Sequence, residues 1–417
     1  MNSIAVLHAA QLVTLAGPQR ARVGPELSEL AIIEGGGIIV RDGVIAAAGP
    51  SDEIERELPN DVEILDAKGR IVLPGFVDAH AHPVFAGNRV GEFEMRARGA
   101  TYEEIAATGG GIRSTVRKTR AASEAQLLAL AQTRANWFLR CGTTTMEAKS
   151  GYGLSLDEEL KILRVIRQLN ETTPIEFVPT FLGAHAIPEE FRGAPEQYVA
   201  LVIHEMLPSV AEEQLAESCD IFCECGYFDL AESEKILMAA QEHGLRIRMH
   251  VDQLTNSGGA FLAARLHAAT ADHLEQTNAT EIAALAEAGV QPVLLPASVY
   301  ALGKTRYPKA RTMIEAGLAV VLATDFNPGS SPTPSIPMVL SLAATQMNMT
   351  PAEGVTATTI NAAYSLGRGD KIGSLEVGKL ANFCVFDCAD YREIAYWFGL
   401  PQTDSVYVRG ERVFQAS

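Results

Sequence analysis

Two histidines one residue apart, His80 and His82 in the run GFVDAHAH, are the first sign of chemistry in this chain. In an extended segment residues i and i+2 share a face, so both imidazoles reach one metal ion. His250 in MHVDQ and Asp325 in ATDFNP add a third imidazole and a carboxylate. That donor set suits zinc, iron or manganese and leaves space for water. His-x-His alone carries little weight, because exposed loops hold it by chance. Joined to His250 and Asp325 it outweighs the plainer reading of four unrelated polar strand ends. His185 and His273 also follow apolar runs. His8, His204, His243 and His267 fall in helical or terminal segments and read as surface or packing residues.

The elements that must position these groups read as strands alternating with helical periodicity. Candidate strands are Val72–Ala79, Thr143–Ala148, Glu176–Leu182, Asp220–Glu224, Arg246–Val251, Ala269–His273, Gln291–Leu295 and Ala319–Thr324. Between them lie runs such as Leu156–Asn170 and Thr280–Ala288, with apolar residues three and four apart. Eight β/α units predict an α/β fold, a TIM (β/α)8 barrel over residues 71–367. In that fold the C-terminal strand ends converge on one site, and His80, His82, His185, His250, His273 and Asp325 all sit at or just past such ends. Residues 1–70 and 368–417 read instead as short strands with turns at Arg41-Asp42-Gly43 and Arg409-Gly410-Glu411. Each piece is too small to stand alone, so they predict one small split β-sandwich domain. The connection from Pro83 to Arg140 is out of proportion, which in a compact domain points to function. Its Gly109-Gly110-Gly111 lacks the Lys-Ser/Thr ending of a phosphate loop. Close approach to a small substrate and simple loop flexibility both explain it.

Composition narrows the partners. The 417 residues are 47% apolar and 20% charged, which excludes a disordered chain. A net charge of −17 with no basic run repels nucleic acid and anionic membranes. No apolar stretch approaches the ~18 residues of a membrane span, and Met1–Gln11 lacks the features of a signal peptide. Six scattered cysteines do not form a disulfide framework; Cys219, Cys223 and Cys225 read as strand packing rather than a soft-metal site. The chain reads as soluble and cytoplasmic.

PGFVDAHAHP after a small β segment, a strand-end His in the fifth unit and a strand-end Asp in the eighth resemble the amidohydrolase superfamily. AGNRVGEFEMRARGATYEEIAATGGGIRSTV, EAKSGYGL, TFLGAHAIP and TDFNPGSSPT are similar, more narrowly, to the imidazolonepropionase family within it, over nearly the whole chain. The resemblance implies one metal ion, divalent or trivalent, zinc or iron, on His80, His82, His250 and Asp325. It also implies a homodimer and a small anionic ring substrate. The expected reaction is hydrolysis of the cyclic amide of 4-imidazolone-5-propanoate to N-formimidoyl-L-glutamate. Binuclear relatives bridge two metals with a carboxylated lysine. The candidate here, Lys149, sits in AKSGYG, so one metal and an unmodified lysine are expected.

Such a reaction needs water made acidic by a metal, a carboxylate that takes and returns protons, and a donor for the oxyanion. Asp325 is placed to relay the proton and His273 to polarise the carbonyl. Arg89 is the family match for the substrate's propionate, which a guanidinium binds in bidentate fashion. Arg96, Arg98 and Arg113 share its loop and default to solvated roles. Tyr152 and His185 match ring- and carboxylate-binding positions. Asn327, Gly329 and Ser330 follow the metal Asp and can hold substrate or product; Tyr102 lines the site or packs. Deaminase relatives carry Glu three residues after the fifth-strand His, whereas this chain has Gln253. An amide orients substrate but cannot titrate. That weighs against the rival reading, another ring hydrolase or deaminase of the superfamily, and shifts acid–base work to Asp325. Asp252 alternates to the opposite face. A non-catalytic scaffold is the second rival, and the complete ligand set weighs against it.

Overall fold

The computed structural model describes residues 3–59, 61–100, 104 and 110–417. The first five strands are β1 Ser3–Val13, β2 Ile32–Arg41, β3 Val44–Pro50, β4 Glu63–Asp66 and β5 Ile71–Pro74. Then come β6 Phe76–Asp78, β7 Thr143–Lys149, β8 Glu176–Ala184, β9 Ser218–Cys223, β10 Arg246–Val251, β11 Thr270–His273, β12 Gln291–Leu294 and β13 Val321–Leu322. The last are β14 Phe383–Phe386, β15 Thr403–Val408 and β16 Glu411–Gln415. Among the described residues these strands make two eight-stranded sheets.

β6 to β13 lie side by side in chain order and pair in parallel. Parallel strands covered on both faces need unbroken burial, and all seven residues of β7 are buried. The two ends meet just beyond β6 and β13. Asp325 N donates to His80 O at 3.0 Å, and His82 N donates to Phe326 O at 2.8 Å. Backbone closure of the barrel therefore runs through three of the residues singled out for metal binding. Helices fill the crossovers. Leu156–Thr172 buries Ile162, Ile166 and Leu169 at four- and three-residue spacing, and Ala279–Ala288 starts where Asn278 accepts from Thr280 N and Glu281 N.

The other sheet is mixed, in the order β16-β15-β14-β5-β1-β2-β3, with β4 also beside β1. β14 runs antiparallel to β5, joining strands from opposite ends of the chain. One expectation is corrected here. Val72–Ala79 is not a single strand: β5 belongs to the mixed sheet and β6 to the barrel, with Gly75 between them. A Cβ at Gly75 would overlap the Thr144 side chain on the neighbouring barrel strand. Unbroken hydrophobicity hid the change of sheet, because both halves are buried. Phe76 of β6 meets Phe386 of β14 edge-on at 5.8 Å, packing one sheet against the other.

The long connection after β6 holds the helices Val90–Ala97, Ile112–Ala121 and Glu124–Arg140. Buried Arg134 ties its start to the barrel, donating to Pro83 O at 2.9 Å and Phe85 O at 2.8 Å and lying over the Phe85 ring. Tyr102 and Gly109, noted in the sequence, lie outside the described residues. No helix among the described residues is long and apolar enough to cross a membrane.

Candidate active site

The strand ends bring His80, His82, His250, His273 and Asp325 together. Asp325 Oδ1 lies 3.5 Å from His80 Nε2 and 3.6 Å from His82 Nε2. Donors on one tetrahedral ion with bonds of about 2.1 Å stand roughly 3.4 Å apart, so these spacings match a shared ion. Ligand atoms of His80, His250 and His273 form a second group within 4.8 Å of one another. His80 Nε2 is fully buried and has no hydrogen-bond partner, which an ion would supply. Burial pushes His80 and His82 well below the usual imidazole range, and His250 below it as well. Neutral imidazoles are the form that binds metal. The residues present therefore fit a metal ion: His80, His82 and Asp325 form one candidate ligand group, and His250 joins His80 and His273 in the other.

Three of the imidazoles have a carboxylate behind them. His80 Nδ1 and Asp272 Oδ2 are hydrogen-bonded at 2.6 Å, His250 Nδ1 lies 3.0 Å from Asp220 Oδ2, and His273 Nδ1 bonds Glu275 Oε1 at 3.3 Å. A carboxylate behind an imidazole fixes its tautomer and its aim. Below them Lys149 stands 2.5 Å from Asp220 and 2.9 Å from Glu147, and Arg248 stands 2.9 Å from Glu147. Burial alone would depress the Lys149 ammonium, but Asp220, Glu147 and Asp272 hold it above its usual range. A carbamate needs a neutral amine, so this setting disfavours carboxylation.

The sequence reading missed Glu147, Asp220, Arg248, Asp272 and Glu275. The first four sit within expected barrel strands, which are covered on both faces, and a charge buried there needs a partner; that is the signal.

Above the cluster opens a cavity of about 600 Å³, lined by His82, His250, His273 and Asp325. It also meets Arg89, Tyr152, His185, Gln253, Asn327, Gly329 and Ser330. Arg89 Nε donates to Thr115 Oγ1 at 2.9 Å. Its guanidinium crosses the Gly329 Cα, where a Cβ would overlap it. The Asn327 amide is used within its own turn: Nδ2 donates to Asp325 O and Ser330 Oγ, and Oδ1 accepts from Gly329 N and Ser330 N. Asn327 thus shapes the turn after Asp325 rather than presenting a free amide. His185 stacks on His82 at 5.3 Å, bonds Gly151 O through Nδ1, and is pushed down to about 3 by burial. Asp252 does not line the cavity and accepts from Thr277 Oγ1.

The cavity adds residues that the sequence did not single out. Arg96, expected in solvent, lines it and donates to Gly329 O at 3.3 Å, because its helix Val90–Ala97 lies against the turn after Asp325. Lys304 also lines the cavity. Arg98 and Arg113 are exposed. Cys219 and Cys223 are buried on β9, and Cys225 is exposed beyond it.

Burial raises Asp325 to about 6, against the pull of His273. Its φ of +52° and that of His273, +80°, lie in the left-handed region. Non-glycine residues held in this region carry backbone strain, here at two of the clustered side chains.

Comparison with known proteins bears directly on this geometry. The amidohydrolase family profile matches residues 71–413. An imidazolonepropionase of Solibacter usitatus (strain Ellin6076) is 63% identical over 417 residues, covering 100% of both chains. That of Geobacillus sp. (strain WCH70) is 46% identical over 420 residues, covering 100% of this chain and 99% of its own. Among solved structures, a 5-methylcytosine deaminase from Klebsiella pneumoniae aligns with a TM-score of 0.75 at 16% identity, over 99% of this chain and 98% of that one. The E. coli guanine deaminase aligns at 0.72 and 16% identity over 100% of both. At such identities the two structures share the fold and nothing finer.

Proposed function

This chain belongs to the amidohydrolase family, among its imidazolonepropionases, and on that premise we propose how its residues divide the work. The activity is that of the ring-opening hydrolase of histidine degradation, acting on 4-imidazolone-5-propanoate. Water oxygen bonds to the ring carbonyl carbon and the carbon–nitrogen bond breaks. One proton passes to the ring nitrogen, and N-formimidoyl-L-glutamate leaves as a carboxylate.

His80, His82, His250 and Asp325 would hold one zinc or iron ion, which when bound supplies Lewis-acid charge and lowers the pKa of water toward about 7. Asp325 takes the proton of the attacking water and returns it to the departing ring nitrogen. Burial has already moved this carboxyl toward neutrality, where one group works in both directions. His273 donates toward the carbonyl oxygen. Burial pulls its pKa down, but Glu275 more than offsets this and raises it, favouring the protonated donor. Arg89 keeps its terminal nitrogens for the propionate, since Thr115 occupies only Nε. Tyr152, His185 and Gln253 bound the ring, and Gln253 can both donate and accept. Ser330 Oγ accepts from Asn327, which leaves its proton for substrate or product.

The observation that carries this division is that one cavity joins the His/Asp cluster to Arg89. The proposal includes a homodimer in the cytoplasm, with light scattering of the purified protein as the check on assembly. The central test follows the absorbance of 4-imidazolone-5-propanoate with the purified chain, its metal content measured in parallel. Turnover should stop with chelator and return with zinc or iron. Turnover of a purine or pyrimidine amine with none of the imidazolone would transfer the site to the deaminase reading.

A further inference from the structure

Below the metal-binding imidazoles, five charged side chains fill the barrel interior: Glu147, Lys149, Asp220, Arg248 and Asp272, each no more than 1% exposed. They are joined in a definite order. Asp220 Oδ1 accepts from its own strand at Ile221 N, and Oδ2 is shared by Lys149 Nζ at 2.5 Å and His250 Nδ1 at 3.0 Å. Asp272 Oδ2 is likewise shared, with His80 Nδ1 at 2.6 Å, Lys149 Nζ at 3.6 Å and Arg248 Nη2 at 3.8 Å. Lys149 therefore reaches the carboxylates behind both imidazoles. Arg248 reaches the one behind His80 and is anchored by donating to Ala79 O and Ser365 O.

We propose that Lys149 is a positioning residue for the metal, fixing the aim of His250 through Asp220 and contributing to that of His80 through Asp272. The inference rests on the metal-dependent reading given above. Three carboxylates in a closed interior repel one another, and a buried carboxylate without a cation turns away from its neighbours. Asp220 would be left with the imidazole and the Ile221 amide and no fixed cation, because Arg248 does not contact it. His250 would then lose the acceptor that sets its Nδ1–H and aims Nε2 at the ion. Asp272 keeps Arg248, so His80 would be disturbed less.

The test uses the full-length chain stripped of metal, with zinc titrated against a chromophoric chelator and the melting of the metal-free protein recorded alongside. Lys149→Met keeps the length of the side chain and removes its charge. Its zinc affinity should fall about 10- to 100-fold, the range seen when a partner behind a ligand is lost. A cation that served only the fold would lower the metal-free melting temperature and leave zinc affinity within about twofold, and that result overturns the proposal. Asp220→Asn and the double variant Lys149→Met/Asp220→Asn cover the case in which Lys149→Met does not fold, since the double removes both charges together. Both should bind zinc weakly and to a similar degree, because Lys149 acts mainly through Asp220 and Arg248 still holds Asp272. Zinc binding by Asp220→Asn as tight as wild type, or losses that simply multiply in the double variant, would also overturn it. A wild-type chain that takes up no zinc or iron would instead defeat the metal-dependent reading itself, so that titration is read first.

Discussion

The Arg89 guanidinium is steered by Thr115 Oγ1 on its Nε and by the bare Cα of Gly329 beneath its terminal nitrogens. A lysine keeps the charge but loses the two-pronged geometry that matches a carboxylate. Arg89→Lys should raise KM for 4-imidazolone-5-propanoate by about 10- to 100-fold, the worth of one charged hydrogen bond of about 1.5–3 kcal/mol. Gly329→Ala should move KM in the same direction by displacing the guanidinium; unchanged KM in both variants would remove Arg89 from the propionate. Asp325 makes a separate prediction, on pH. Its buried carboxyl titrates near 6 with no cation present, and only the ionised form accepts a proton. A bound cation favours ionisation, so kcat/KM should fall on acidification with a midpoint at or below about 6. Asp325→Asn, unable to relay a proton, should lose at least the ~100- to 10,000-fold contributed by general acid–base catalysis. An acid limb centred above 7, or an active Asp325→Asn protein, would assign the relay to another group.

Between residue and fold stands the turn that carries Tyr152. Glu159, in the first turns of the helix Leu156–Thr172, accepts from Gly151 N at 3.0 Å, Gly153 N at 2.7 Å and Leu154 N at 2.8 Å. One buried carboxylate thus holds the turn that faces the cavity. Glu159→Gln keeps the shape but points an NH2 group at backbone donors, so at least one amide loses its acceptor. A cost of about 1–3 kcal/mol is expected, seen as a lower melting temperature, faster exchange of the Gly151 and Gly153 amides, and a several-fold rise in KM. Wild-type exchange at both glycines would show that the turn is held by something else. Glu159 was not legible in the sequence because a helix-start glutamate has an ordinary solvated role. The strand ends were legible, since apolar runs closed by His or Asp are rare and the barrel brings such ends together. The charges behind them were not. Lys149 and Asp220 are 71 residues apart in the chain, and their pairing follows only from strand order and facing.

At the scale of the whole molecule, acidic bulk and cationic pocket are separate matters. A net charge of −17 surrounds a cavity in which Arg89, Arg96 and Lys304 outnumber Glu92 and Asp325, so global charge weighs against polyanions and leaves a small anionic substrate open. Alternating strands and helices predicted the barrel, and turn-rich ends predicted a split β-sandwich domain made from both termini, which takes the form of one mixed sheet. The boundary between them was hidden inside one apolar run, IVLPGFVDA, because hydrophobicity reports burial and not which sheet buries it. Gly75 is where the chain passes from one sheet to the other: its N–H donates to Asn382 O of the terminal segment, while Phe76 N donates to Gly142 O on the barrel side. Gly75→Ala would drive a methyl group into Thr144, which is buried against it. Overpacking of that kind costs about 1–3 kcal/mol, so the urea midpoint should fall. β6 leads directly into His80 and His82, so zinc affinity should fall with it. Thr144→Ala removes two of the three overlapping atoms and, combined with Gly75→Ala, should recover more than half of both losses. If Gly75→Ala matched wild type in midpoint and in zinc binding, the crossing would tolerate a side chain. The metal ligands would then be insulated from the joint between the two sheets.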